Sequence, residues 1–129
     1  NRLSMLIAVL SKRAGLNINA LDAYVNIAGG LRVTQPAVDL AVCAALISAF
    51  KNKAIPSDTV IFGEVGLSGE VRAVPQAEER IKEAAKLGFG RVIMPEINVN
   101  GLKRSGTDVA KLGIQIEGIR YIGELFAVL

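Results

Sequence analysis

No histidine occurs in this chain, and that absence removes more chemistry than any motif adds. Without an imidazole there is no Ser-His-Asp or Cys-His mechanism, and the commonest metal ligand is missing as well. Cysteine is nearly as scarce. Cys43 stands alone inside an apolar run, so neither a disulfide framework nor a cysteine metal site can form, and it reads as a core residue. Tryptophan is absent and aromatic residues make up 5% of the chain, too few rings for a stacking platform on single strands. Any nucleic-acid contact would therefore go mainly to phosphates. The longest apolar run, residues 41–47, is far short of the roughly 20 residues that a bilayer span needs. The N-terminus has no basic-then-apolar-then-small signal pattern either. Together these gaps predict a soluble, cytoplasmic protein that meets no membrane.

What is present suffices for one core. The chain has 129 residues, 51% of them hydrophobic, the size and content of one domain. Fifteen Lys and Arg against twelve Asp and Glu give a formal charge of +3, which permits contact with an anionic polymer without demanding it. The chain opens at Asn1 directly in the apolar pattern "NRLSMLIAVL", with no initiator Met and no preceding cap. Residues 1–129 are therefore read as one domain cut from a longer chain.

Leu3, Leu6, Ile7 and Leu10 recur at helical spacing, and Gly15 stands where a helix-ending glycine belongs. The following stretch alternates up to Gly29 and Gly30, which predicts two strands around a turn near Leu21 and Asp22. From Pro36 onward only Asp39 and Ser48 interrupt an Ala, Val and Leu helix over residues 36–50; it is apolar on nearly all sides and so packed on several faces. "VIFGEVGLSGEVRAV" predicts a hairpin turning at residues 66–69, and "PQAEERIKEAAKLG" predicts a helix with Ala77, Ile81, Ala84 and Ala85 on one face. "RVIMP" reads as a short buried strand, "EINVNGLKRSGTD" as a polar loop, and the C-terminus as a strand running into a short helix. Strands in pairs with helices between them predict a mixed α+β sandwich rather than a regular parallel βαβ series.

Few catalytic arrangements survive this inventory. No phosphate-binding G-x-x-x-x-G-K-[ST] loop occurs, and the spacing of Gly63, Gly66 and Gly69 is not G-x-G-x-x-G. A serine paired with a desolvated lysine remains possible in principle, and Ser48-Ala-Phe-Lys51 has that spacing. The pair falls near a helix C-terminus, however, where the dipole favours a charged lysine and opposes the neutral base. Glu78 and Glu79 are adjacent carboxylates on a charged helix face, where Glu78 can pair with Lys82 and Glu83 with Lys86. A solvated face is the simpler reading.

"QPAVDLAVCAALIS" followed by "FGEVGLSGEVRAVPQAEERIKEAAKLGFGRVIMP" resembles the proteolytic domain of Lon proteases. "DAYVNIAGGL", "PAVDLAV" and "GEVGLSGEVRAVPQ" resemble, more closely, the C-terminal Lon-like domain of the bacterial RadA (Sms) family. The resemblance implies a Lon-like fold, of the type of ribosomal protein S5 domain 2, as a two-layer arrangement of mixed sheets and helices. It places the family's catalytic serine at Ala37 and its catalytic lysine at Glu78, so both halves of the dyad are gone. Asp39 stands where Lon has a glycine, the wrong sign of charge beside a developing oxyanion.

The resemblance therefore implies no peptide cleavage here. It implies a non-catalytic domain of a repair protein that moves branched recombination intermediates, with ATP, Mg and Zn bound in zinc-finger and RecA-like ATPase parts whose motifs this sequence lacks. This domain itself would hold no cofactor and no metal. The implied partners are copies of itself in a hexameric ring, single-stranded or branched DNA, and the recombinase RecA through the parent protein. For DNA contact the candidates are Arg72, Arg80, Lys82 and Lys86, with Lys103 and Arg104 as a second patch in the "NGLKRSG" loop. Two other readings stand beside this one: a serine-lysine peptidase using displaced residues such as Ser48 and Lys51, and a pure assembly module that ignores DNA.

Overall fold

Leu6, Val9 and Leu10 fall on the buried face of a 12-residue helix, α1 (Arg2–Arg13), in the computed structural model, which describes residues 2–16 and 35–129. Gly15 follows with φ +71°, the left-handed conformation in which helices commonly end. The two strands expected around Leu21 and Asp22 lie outside the described residues. Pro36 opens a 3-10 turn (Pro36–Val38) that runs directly into α2 (Asp39–Lys51); a first-turn N–H has no helical partner, so proline costs nothing there. α2 buries Asp39, Leu40, Cys43, Ala44 and Ile47 and ends at Asn52 in the left-handed region.

Three short strands, β1 (Thr59–Ile61), β4 (Arg91–Pro95) and β5 (Gln115–Ile119), form a parallel sheet in the order β1-β4-β5. The register pairs Val60 with Val92 and Val92 with Ile116. Between them lies the hairpin of β2 (Glu64–Val65) and β3 (Val71–Arg72), followed by α3 (Ala77–Lys86). α4 (Glu96–Arg104) connects β4 to β5. A 3-10 turn at Val109–Leu112 precedes β5, and a second at Ile122–Glu124 leads into α5 (Leu125–Val128).

Strand periodicity sorts the core into two halves. Val92 and Met94, on one face of β4, pack with Ile81 and Ala84 of α3 and with Val99 and Leu102 of α4. Ile93, on the opposite face, packs with Leu6, Leu10, Leu40, Cys43 and Leu125 from α1, α2 and α5. Val92, Ile93 and Met94 are fully buried, and each such side chain contributes roughly 1.5–3 kcal/mol of hydrophobic stabilisation. A parallel sheet needs both faces covered, and here helices cover both.

The α+β class holds at this level, with two differences from expectation. The main sheet is parallel and its strands are linked through helices, and among the described residues it has helices on both faces rather than the expected two layers. Pairing between strands some thirty residues apart leaves no local mark, whereas the hairpin has its glycine turn. The second difference is α4, where a polar loop was predicted. Asn98, Asn100 and Gly101 are weak helix formers, but Val99 and Leu102 are buried one turn apart. Asn98 also accepts from Val74 N (2.9 Å) and donates to Val74 O (3.0 Å). Tertiary burial overrides propensity at this position.

Asp39 is the one buried charged residue among the described residues. Its two oxygens accept from Arg2 Nε and Nη2, both at 2.6 Å, and Oδ2 also accepts from Val65 N at 3.0 Å. The hydrogen bond to Asp39 raises the Arg2 pKa above its already high ordinary value. One carboxylate thus fastens α1, α2 and the β2 strand together. Asp39→Ala strands the Val65 N–H in the core, and the expected loss is about 3 kcal/mol, the lower end for a broken buried pair because Arg2 still reaches water. Urea unfolding should show a lower midpoint at unchanged slope; a loss under about 1 kcal/mol would refute the fastening role.

Candidate functional site

Ala37 sits in the 3-10 turn with 5% of its surface exposed. Its carbonyl accepts from Gly63 N at 2.8 Å, and Gly63 O accepts from Leu40 N at 2.9 Å. This two-way bond ties the start of α2 to the link between β1 and β2. Glycine suits this position: its φ is +156°, and an added Cβ would press on Leu40 Cδ2 at 3.1 Å and Val71 Cγ1 at 3.2 Å.

Two hollows open beside Ala37. The larger, about 590 Å³, runs between the start of α2, strand β1 and one face of α3, and its floor is apolar: Val60, Phe62, Ala84, Leu87 and Phe89. The smaller, about 370 Å³, lies toward Glu64, Val74 and Pro75. Gln35, Ala37, Gln76 and Arg80 border both. Arg80 is fixed between them, donating from Nε to Pro75 O at 3.0 Å with its guanidinium 5.8 Å from the Phe62 ring centre. Neither lining contains Ser, Thr, Cys, Lys or Tyr among the described residues.

The residues singled out from the sequence converge only in part: Ala37 and Arg80 border both hollows, and Ser48 and Lys51 line a third. Glu78 is not in either lining; its carboxylate lies 3.6 Å from Lys82, as helical spacing predicts. Glu79, Arg80 and Glu83 face the larger hollow instead. Asp39 does not present free charge to the hollows, because Arg2 and Val65 N occupy both its oxygens; the sequence held no sign of that partner 37 residues away. Ser48 Oγ donates to Lys53 O at 2.5 Å, and Lys51 Nζ lies 5.3 Å from the centre of the Phe126 ring. Both members of the S-x-x-K pair are engaged with other groups.

The six cationic candidates fall into two sets. Arg72 donates to Glu70 Oε2 from Nε (3.2 Å) and Nη2 (3.0 Å) and lies 4.0 Å from Glu64. Hydrogen bonds from its own backbone N–H and from Arg72 hold the Glu70 carboxyl below the usual range. Arg80 is placed as above and Lys82 is paired. Lys86, Lys103 and Arg104 are exposed, in the last turns of α3 and α4. The second patch therefore lies on a helix end and not in a loop.

Among the described residues, no helix is long and apolar enough to cross a membrane, and no group of three or more His, Cys, Asp or Glu could hold a metal ion. Cys43 is fully buried, and burial, reinforced by the nearby Asp39 charge, pushes its thiol up to about 12. At pH 8 its thiolate fraction is on the order of one in ten thousand. A disulfide reagent should therefore label native protein no faster than the protein opens, and promptly in denaturant. Rapid native labelling would contradict this burial.

Comparison with known proteins places these features. A family model described as "Subunit ChlI of Mg-chelatase" matches residues 4–98. The DNA repair protein RadA of Escherichia coli (strain K12) is 43% identical over 99% of this chain and 26% of its own length. The RadA of Rickettsia bellii is 58% identical over 72% of the chain and 21% of its own length, and that of Synechocystis is 43% identical over the whole chain and 23% of its own. The chain spans about a quarter of the length of the curated relatives it matches.

Proposed function

The chain belongs to the family described as subunit ChlI of Mg-chelatase, and from that membership and its similarity to DNA repair RadA proteins we propose that it is a non-catalytic scaffold domain of a DNA repair protein. The observation that carries the non-catalytic reading is the composition of the two hollows beside Ala37. Acyl transfer needs a nucleophile and a base within hydrogen-bond reach, and the described linings supply Ala37, glutamines, glutamates and an arginine already bound to Pro75 O. Glu79 and Glu83 flank that arginine, and negative charge opposes an oxyanion.

The parent protein in this reading is a cytoplasmic, DNA-dependent ATPase that migrates branched intermediates, with ATP, Mg and Zn held outside this chain and RecA as its partner. The domain contributes self-association in a Lon-like ring and contact with the DNA backbone. The family resemblance and the names of the relatives support this assignment; Ser48 and Lys51 line a common hollow, but the hydroxyl donates to Lys53 O and the amine lies over Phe126, so no serine-lysine hydrogen bond favours the peptidase alternative.

Light scattering of the protein, repeated with fluorescent single-stranded DNA across a salt series, tests the scaffold reading. A ring whose affinity falls steeply with salt is the expected result, and a monomer that ignores DNA at low salt would overturn it. Casein should remain intact at high protein concentration; hydrolysis that disappears in Ser48→Ala would favour the peptidase instead.

A further inference from the structure

Topology gathers positive charge at one end of the molecule. β1, β4 and β5 are parallel, so they begin at the same end, and the segments before them are bonded side by side. Gly90 N and Arg91 N donate to Asp58 O (3.0 and 3.2 Å), and Gln115 N donates to Gly90 O (3.0 Å). The C-termini of α2, α3 and α4 lead into those segments. In these last turns, connecting segments and strand starts, the described residues include seven Lys and Arg and three acids, Asp58, Glu83 and Asp108. That is an excess of four positive charges where the whole chain has three. The three helix C-termini offset about half a charge each, which leaves the end clearly positive.

The cations there divide by what they touch. Lys53 Nζ and Arg91 Nη2 donate to Leu129 O and Val128 O, both at 2.5 Å, and Lys51 lies over Phe126. These three hold the end of α5. Among the described residues, Lys86, Lys103 and Arg104 make no ion pair within 4.0 Å, and Lys111 has only Asp108 at 4.0 Å, with both side chains largely exposed, a contact worth little. The 3-10 turn that carries Lys111 packs against both α3 and α4, which joins the four into one surface. None of them lines the hollows described above. By contrast, Arg72 donates twice to Glu70, a pair that must break before the cation can replace a phosphate counterion, and Lys82 lies nearer to its carboxylate, Glu78 at 3.6 Å, than Lys111 does to Asp108.

Resting on the DNA-contact reading above, we infer that the sugar–phosphate backbone docks at this end, on Lys86, Lys103, Arg104 and Lys111, and not on the α3 face beside Ala37. Lys111 was not among the candidates that the sequence suggested. The surface is exposed and contributed by three elements, which suits a run of phosphates better than one small anion.

The test compares binding of fluorescent single-stranded DNA across a salt series for wild type and three variants. Lys103→Gln/Arg104→Gln/Lys111→Gln should weaken binding at low salt about tenfold or more and flatten the log–log salt slope by about 2, since each single-strand phosphate contact contributes about 0.7. The charge-keeping Lys103→Arg/Arg104→Lys/Lys111→Arg should bind as wild type, which separates charge from folding. Arg72→Gln/Lys82→Gln should change affinity less than twofold. Loss in that last variant with none in the first would overturn this placement while leaving DNA contact intact. No binding by wild type at low salt would remove the DNA-contact reading and this inference with it.

Discussion

One carboxylate decides how the first half of this protein meets the second. Asp39 has no exposed surface, and an isolated charge in such a place is prohibitively unfavourable. It is tolerated because Arg2 meets both oxygens and Val65 N meets one of them again. The same three bonds fix α1, the start of α2 and β2 relative to one another, so the geometry around Ala37 depends on them. A residue that the Lon resemblance casts as an obstacle to an oxyanion is, in the folded chain, the fastening of the core.

The sheet depends on the same economy of burial. β4 is central and apolar on both faces, so helices must lie above and below it. α1, α2 and α5 cover one side and α3 and α4 the other. α4 begins close to β5 at Gly118, where an added Cβ would lie 3.2 Å from the Glu96 Cα. Parallel strands also send every connecting helix back to one end. Helices carry bases in their last turns to complement the dipole, so a local preference repeated three times becomes a global charge asymmetry.

That asymmetry separates two regions with different chemistry. Around Ala37 the floor is apolar, Arg80 is held by Pro75 and Phe62, and the acids that face the larger hollow, Glu79 and Glu83, add negative charge. At the far end the cations of α3, α4 and the Val109–Leu112 turn face solvent with little opposing charge.

Much of this was legible in local patterns. The apolar spacing of Leu6 and Leu10, the helix after Pro36, the glycine hairpin, the face of Ala77, Ile81 and Ala84, the buried "VIM" of β4 and the core placement of Cys43 follow from periodicity and turn chemistry, which act over a few residues. The missing histidine and the alanine at position 37 were equally plain. Other features depend on residues far apart in the chain, where no local pattern exists. α4 forms because Val74 and the sheet wait for Asn98, Val99 and Leu102, although its own residues are poor helix formers. Arg2 finds Asp39 only when two helices pack. Parallel pairing placed Lys86, Lys103, Arg104 and Lys111 at one end, a fact that spacing along the chain hides. The sequence by itself determined which residues could be buried and which chemistry was impossible; tertiary structure decided which charges are spent on partners and which remain free, because Coulomb pairing depends on distance in space and not on distance along the chain.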